Sequence, residues 1–392
     1  MSATIVIPLD GATLPEPTRE ELGVADLAPG ARVAVAMSGG VDSATTAALL
    51  AEAGFEVVGI TLQLYDSGAA RGKPGTCCAG ADIQDARAVA RKLSIPHYVL
   101  DFESRFKADV IEPFAESYAR GETPIPCVAC NRTVKFRDLM AVARDLDAQA
   151  LATGHYARRI VGANGPELHA AADRARDQSY FLFATTREEL AYLRFPLGSA
   201  ASKRETRAHA KRLGVAISEK PDSQDICFVP NGDYAGVVAK LRPDSVSPGE
   251  IVHVDGRVLG RHDGIIHFTV GQRRGVGVGG ADGVASERLY VVRIEPEARR
   301  VIVGPRELLA ATRARIVGVN WLGDSGSSPG RTVAGEVKIR SAQAPVAARL
   351  VFKGAGDAEI EFAAPEFGVA PGQACVVYDG ERVLGGGFIA RS

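Results

Sequence analysis

From Arg32 onward, short apolar runs alternate with segments of helical period, and that alternation admits few folds. ArgValAlaValAlaMet (32–37) reads as a buried strand, Ala44–Ala53 as a helix stopped by Gly54, and Phe55–Leu64 as a second strand. Asp82–Leu93 is then expected as a helix and His97–Phe102 as a strand. Lys107–Arg120 and Val134–Leu146 follow as helices, and Ala148–Tyr156 as another strand. Strands joined through helices run parallel with right-handed crossovers, so the expected fold class is α/β, a doubly wound parallel sheet. Past residue 228 the period changes. Helical patterns nearly vanish, and strand-like alternation takes over, punctuated by the hairpin dipeptides Asp255-Gly256 and Asp379-Gly380. A first domain over 31–228 is therefore expected to be followed by a small β-rich central domain (229–308) and a C-terminal antiparallel β-barrel (309–392). Residues 1–30, rich in Pro and acids, read as a loosely attached N-terminal extension without an assignable role.

With 392 residues the chain is long enough for two or three cores. Its formal net charge is −1, so a polyanion must be held by local patches and not by the global field. One candidate patch is Ser202–Lys220, which carries Lys203, Arg204, Arg207, Lys211, Arg212 and Lys220 against Glu205 and Glu219. Arg273 and Arg274 form a second. Taken alone, such a patch reads first as a solvated helix face. No apolar run approaches the roughly 18 residues that span a bilayer, and the N-terminus lacks a basic segment followed by an apolar one. A cytoplasmic chain without a membrane partner is expected. Six cysteines (Cys77, Cys78, Cys127, Cys130, Cys227 and Cys375) in such a chain argue for redox, metal or catalytic roles over a disulfide framework.

Ser38-Gly39-Gly40-Val41-Asp42-Ser43 lies between the first strand and the first helix, where backbone amides at a helix N-terminus favour phosphate. It lacks the Gly-Lys-Ser/Thr of a Walker A loop, so attack at a γ-phosphate is not the natural reading. A plain glycine turn capped by Asp42 or Ser43 is the structural alternative, and Asp42 could equally help place Mg2+. Cys127 and Cys130 form a CxxC in a proline-stiffened loop, with Cys227 far downstream in Asp222-Ser223-Gln224-Asp225-Ile226-Cys227-Phe228. Structural zinc would want a second close pair, which adjacent Cys77 and Cys78 supply poorly. A thioredoxin-like role would want a helix beginning within the CxxC, and none is expected there. Cys375, inside an alternating apolar strand, reads as core; Cys77 and Cys78 stay unassigned. His155, at a strand end, fits a structural histidine and a nucleotide contact equally well.

Six blocks then stand in a characteristic order: 36–43 (AlaMetSerGlyGlyValAspSer), 123–131 (ThrProIleProCysValAlaCysAsn), 152–158 (AlaThrGlyHisTyrAlaArg), 177–182 (AspGlnSerTyrPheLeu), 222–229 (AspSerGlnAspIleCysPheVal) and 269–275 (ThrValGlyGlnArgArgGly). Together they resemble the tRNA-specific 2-thiouridylase family of the PP-loop ATP pyrophosphatases, whose first domain is adenine nucleotide alpha hydrolase-like. The likeness runs from Arg32 to the C-terminus, strongest up to Gly275 and weaker in the final barrel.

The resemblance implies adenylation of the wobble uridine of tRNAs for Lys, Glu and Gln at its C2 oxygen, using ATP and Mg2+. Sulfur from a cysteine persulfide then gives 2-thiouridine, with a cysteine desulfurase or sulfur relay protein as donor. It places ATP on Ala36, Met37, Ser38, Gly39, Gly40, Val41, Asp42 and Ser43, with Leu62 and Gly154 lining the pocket. Ile125, Pro126 and Cys127 would lie near the target base. Cys130 matches the nucleophile and Cys227 the persulfide carrier, while Arg176, Asp177, Gln178, Arg340 and Ser341 match tRNA-contacting positions. Many family members carry Asp where this chain has Cys127, which leaves two sulfur routes open: the persulfide, or sulfide held by a [4Fe–4S] cluster on Cys127, Cys130 and Cys227. A nitrogen-transferring ligase built on the same loop, and a non-catalytic RNA-binding or sulfur-carrier module, are the remaining readings.

Overall fold

The computed structural model describes residues 14–65, 80–221, 226–229, 232–277 and 288–391. It divides into two compact units. The first comprises Met1–Lys107, Val128–Pro230 and Glu381–Val383; the second comprises Ala108–Cys127, Asn231–Gly380 and Leu384–Ser392.

The first unit is built on β1 (Arg32–Ala36), β2 (Glu56–Gln63), β3 (His97–Asp101), β4 (Ala150–Ala152) and β7 (Leu193–Arg194), with β5 (Ala157–Gly162) and β6 (Gly165–Ala170) forming a separate hairpin. The sheet order is β3-β2-β1-β4-β7 and every neighbouring pair is parallel, in register Val35 to Gly59 and Val33 to Ala150. The chain steps outward from β1 to β2 and β3, then returns to the other side of β1 at β4. That reversal puts a switch point at the C-terminal ends of β1 and β4, where open α/β sheets place ligands. Buried on both faces, β1 is Val and Ala at Val33, Ala34 and Val35. Helix α1 (Val41–Glu52) is buried from Ser43 to Leu50, and its small Ala and Thr residues allow that.

Two expectations need correction here. Residues 18–30 are not a loose extension: Leu22 and Val24 are 1 % and 0 % exposed in the same cluster as Val33, Val35 and Leu50. Asp26 accepts salt bridges from the nearly buried guanidiniums of Arg159 and Arg194. Acidic and proline-rich surroundings hid a few apolar anchors and one essential counter-ion. The second correction concerns the CxxC, which is helical. A run of α-turn (Pro126–Cys130), π-helix (Asn131–Asp138) and α-helix (Leu139–Asp145) is continuous where a helix from Val134 was expected. Pro126 can open it because the first helical residue has no intrahelical use for an N–H.

In the second unit, helix Tyr234–Leu241 is capped by Asp233, which accepts from the Gly236 amide, so helical structure does persist beyond residue 228. Strands β8 (Gly249–His253), β9 (Val258–His262), β10 (Tyr290–Glu295) and β11 (Arg300–Gly304) form a sheet ordered β10-β11-β8-β9 around Ile251, Phe268, Val291 and Val301. Strands β12 (Ala310–Trp321), β13 (Thr332–Lys338), β14 (Val346–Gly354), β15 (Asp357–Phe367), β16 (Ala374–Asp379) and β17 (Arg382–Ile389) close into an antiparallel barrel through the β12–β17 pairing. Cys375 lies in that barrel's core, and burial pushes its thiol up to about 12. No helix among the described residues is long and apolar enough to cross a membrane.

Leu22→Ala is expected to cost about 2–5 kcal/mol in urea unfolding, the range for a buried leucine in a packed core. A change too small to measure would restore the picture of a loose extension.

Candidate active site

The loop at 38–43 leaves β1 at its C-terminal end and becomes the first turn of α1. Gly39 adopts a positive φ of 76°, and a β-carbon there would lie 2.2 Å from the Asp82 carbonyl oxygen of helix α2 (Gly80–Leu93). Glycine is therefore required twice over, for conformation and for clearance. Gly154, just past β4, approaches as closely: its β-carbon would meet the Ser43 nitrogen at 2.8 Å. Gly40 is the N-cap of α1 without a side-chain cap, so neither Asp42 nor Ser43 serves as one. Instead the Ser43 hydroxyl accepts from the Ser38 amide at 3.0 Å and donates to the Gly40 carbonyl at 3.1 Å, folding the loop on itself. Ala36 ends β1, Met37 continues it by donating to the Ile60 carbonyl, and Leu62 is part-buried toward the end of β2.

A ring of charge surrounds this loop. Lys203 Nζ donates to both Asp42 oxygens, at 2.6 and 2.7 Å. Tyr156 OH lies 2.9 Å from Asp42 Oδ1 and from Thr206 Oγ1. On the opposite flank, Lys220 Nζ donates to the Gly39 carbonyl at 3.0 Å and to Asp82 and Asp85 at 2.5 and 2.6 Å. Partial burial works against the Lys220 charge, but its two carboxylate partners prevail and hold its pKa above the ordinary lysine value. Sequence reasoning missed this assignment. It grouped Lys203 and Lys220 with a surface patch, which the structure largely dissolves: Arg207 donates to the Ser218 and Lys220 carbonyls, Arg212 pairs with Glu52, and Lys211 with Glu219. Alternating basic residues on a short helix do not reveal which of them point inward. Arg204, Arg273 and Arg274 remain exposed.

His155 donates or accepts through Nδ1 with Thr153 Oγ1 at 2.8 Å, and its ring meets Phe136 and Phe195 edge-on. Burial, with Lys135 nearby, pushes its pKa well below the histidine range although part of the residue stays accessible, so the ring is neutral at physiological pH. Cys130 is 6 % exposed, and burial raises its pKa against the opposing charge of Lys135, so it rests as a thiol. Cys227 sits on a turn fastened to the sheet's C-terminal edge: Tyr65, two residues past β2, donates to its carbonyl at 2.9 Å, and Phe228 packs edge-on against buried Phe106. Cys127 is exposed in the first turn of the CxxC helix and belongs, with Ile125 and Pro126, to the second unit. Cys77, Cys78 and residues 222–225 lie outside the described residues.

Of the positions expected to meet tRNA, Arg176 is exposed, whereas Asp177 and Gln178 work internally. The Asp177 carboxylate accepts from the Ala171 and Ser179 amides, and the Gln178 carbonyl accepts from the Tyr156 amide. Arg340 is exposed beside Glu366 at 3.6 Å, and Ser341 is exposed. Among the described residues, no group of three or more His, Cys, Asp or Glu side chains is arranged to hold a metal ion.

A glycine loop between a central parallel strand and its helix, at the sheet's switch point and flanked by lysines and carboxylates, defines a nucleotide-binding α/β unit followed by β-domains. Residues 31–231 match the tRNA methyl transferase HUP domain, 237–305 the tRNA methyl transferase PRC-barrel domain and 312–389 the aminomethyltransferase beta-barrel domain. The chain is 63 % identical over 364 residues to the tRNA-specific 2-thiouridylase MnmA of Rhodospirillum centenum, covering 92 % of each chain. Against the enzyme of the same name from Methylobacterium radiotolerans it is 61 % identical, covering 92 % of this chain and 94 % of that one. It belongs to the tRNA-specific 2-thiouridylase family.

Gly154→Ala must push the end of β4 away from Ser43, and about a tenfold or larger loss of ATP affinity in equilibrium dialysis is expected. Wild-type affinity in that variant would place the nucleotide elsewhere. A pH effect follows from the histidines. His155, His97, His209 and His262 all have pKa values lowered chiefly by burial. The unfolded chain therefore binds more protons, so stability is full above about pH 6.5 and falls as pH drops below it, ahead of carboxylate titration. The urea midpoint should fall between pH 7 and pH 5; a flat profile there would contradict neutral, buried imidazoles.

Proposed function

We propose that this protein is an ATP-dependent tRNA-uridine 2-sulfurtransferase that thiolates the wobble uridine of tRNAs for Lys, Glu and Gln. The observation that carries the reading is that the Cys227 turn is tied through Tyr65 to the same C-terminal sheet edge from which the Ser38–Ser43 loop springs.

The uracil C2 oxygen is a hopeless leaving group, so it must first be converted to an adenylate with release of pyrophosphate. Ala36–Ser43, Leu62 and Gly154 would hold ATP, with Asp42 as the carboxylate nearest the loop for Mg2+. The terminal sulfur of a Cys227 persulfide then bonds to C2 and the C2–O bond to AMP breaks. Cys130 thiolate next attacks Cys227 Sγ, the sulfur–sulfur bond breaks, sulfur stays on C2, and a Cys130–Cys227 disulfide forms that an external thiol reduces. A desulfurase or relay protein reloads Cys227. Exposed Cys127, with Ile125 and Pro126, is assigned to the target base, and exposed Arg176, Arg340 and Ser341 to the tRNA. An unpaired anticodon base can be splayed into a pocket without breaking a duplex. We take the persulfide route because Cys130 and Cys227 suffice for it, with Cys130 as the attacking thiol and Cys227 as the carrier. A reaction consuming ATP and tRNA belongs in the cytoplasm.

Cys130→Ser and Cys227→Ser should each reduce 2-thiouridine in tRNA, measured by mass spectrometry of nucleosides, to background while tRNA-dependent pyrophosphate release continues. Turnover that survives both substitutions would point to a nitrogen nucleophile. Absence of tRNA-dependent pyrophosphate release in the wild type would point to a carrier or binding module.

A further inference from the structure

Two ammonium groups flank the loop within the first unit, and they are held differently. Lys220 bridges the Gly39 carbonyl to Asp82 and Asp85, tying the loop to the start of α2. Those bonds fix a backbone shape, and Lys220 is a positioning residue. Lys203 instead meets both oxygens of the one carboxylate in the loop, with the Tyr156 ring 5.7 Å beneath its nitrogen. Its side chain is 10 % exposed while that of Asp42 is 31 % exposed, so the carboxylate is the accessible half of the pair.

The charge count adds a constraint. Among the described residues, the ion pairs at this loop set Lys203 and Lys220 against three carboxylates, Asp42, Asp82 and Asp85. Loop amides and a helix dipole then act against a net negative side-chain charge, which opposes a bare triphosphate. A divalent cation on Asp42 would reverse that sign and would compete with Lys203 for the carboxylate.

Building on the ATP reading above, we propose that Lys203 is a phosphate ligand held in reserve by Asp42: Mg2+ arriving with ATP takes the carboxylate, and the released ammonium turns to the nucleotide's phosphates. Phosphate binding is thereby made conditional on metal. The Lys203 ammonium is a point charge on a flexible stem, so it can change partners by rotation about its own side chain.

Equilibrium binding of a non-hydrolysable ATP analogue to the full chain, with and without Mg2+, tests this. Wild type should bind appreciably only with Mg2+. Lys203→Met should lose about 10- to 100-fold in affinity for the Mg2+ complex, the scale of a charge-assisted hydrogen bond, while tRNA affinity in filter binding is unchanged. Asp42→Asn is the more telling variant, and it decides the matter if Lys203→Met does not fold. It should bind the metal-free analogue about tenfold more tightly than wild type and gain little from Mg2+. Wild-type behaviour in Asp42→Asn, or a folded Lys203→Met that binds the Mg2+ complex normally, overturns the exchange while leaving the ATP reading intact. A wild type that binds no analogue under either condition overturns both.

Discussion

Clearance at two glycines governs the nucleotide end of this protein. Gly39 lets the Asp82 carbonyl approach to where a β-carbon would stand, and Gly154 lets the end of β4 close on Ser43. Any side chain at either place separates elements that must converge: β1, β4, α1 and α2. Backbone contact at that range puts the Gly39 carbonyl within reach of Lys220. Rigid packing behind the loop, from a nearly continuously buried α1 and the Leu22–Val24 anchor, keeps that clearance from relaxing.

Chemistry follows from what such a loop lacks as much as from what it has. Without a Walker lysine within the loop, positive charge must come from elsewhere in the chain, and the proposal above assigns that role to Lys203, which opens helix Lys203–Arg212 and meets the Asp42 carboxylate. A nucleotide held by its distal phosphates presents its α-phosphorus for attack, which matches adenylation of a carbonyl oxygen and not phosphorylation. Activating a carbonyl is pointless without a nucleophile to follow, and the turn bearing Cys227 is fastened at the same edge of the sheet by Tyr65 and by Phe228 against Phe106.

The first strands of the parallel sheet and the glycine loop were legible in the sequence because both are local: a buried strand is a run of apolar residues, and a glycine loop is six consecutive letters. Side-chain direction on a polar helix is not local. Lys203, Arg207 and Arg212 look alike in sequence, yet one meets Asp42, one caps carbonyls and one pairs with Glu52. Leu22, Val24 and Asp26 were hidden by their acidic and proline-rich neighbours, since average composition says nothing about three residues that happen to be core. The CxxC was taken for a loop because prolines at 124 and 126 punctuate it, although Pro126 is tolerated where a helix begins.

Cys130, proposed above to attack Cys227, rests in the less reactive of its two forms. Buried, it is held as a thiol, and only the thiolate is nucleophilic. The helix around it is correspondingly unusual. Immediately after Cys130 the backbone widens into a π-helix of eight residues, a geometry rarely sustained and often found at functional sites. At its first residue, Asn131 donates to the Phe181 carbonyl while its own side-chain oxygen is buried without a hydrogen-bond partner. Sulfur transfer through Cys130, as proposed above, therefore requires a conformation in which this turn opens the thiol to its substrate.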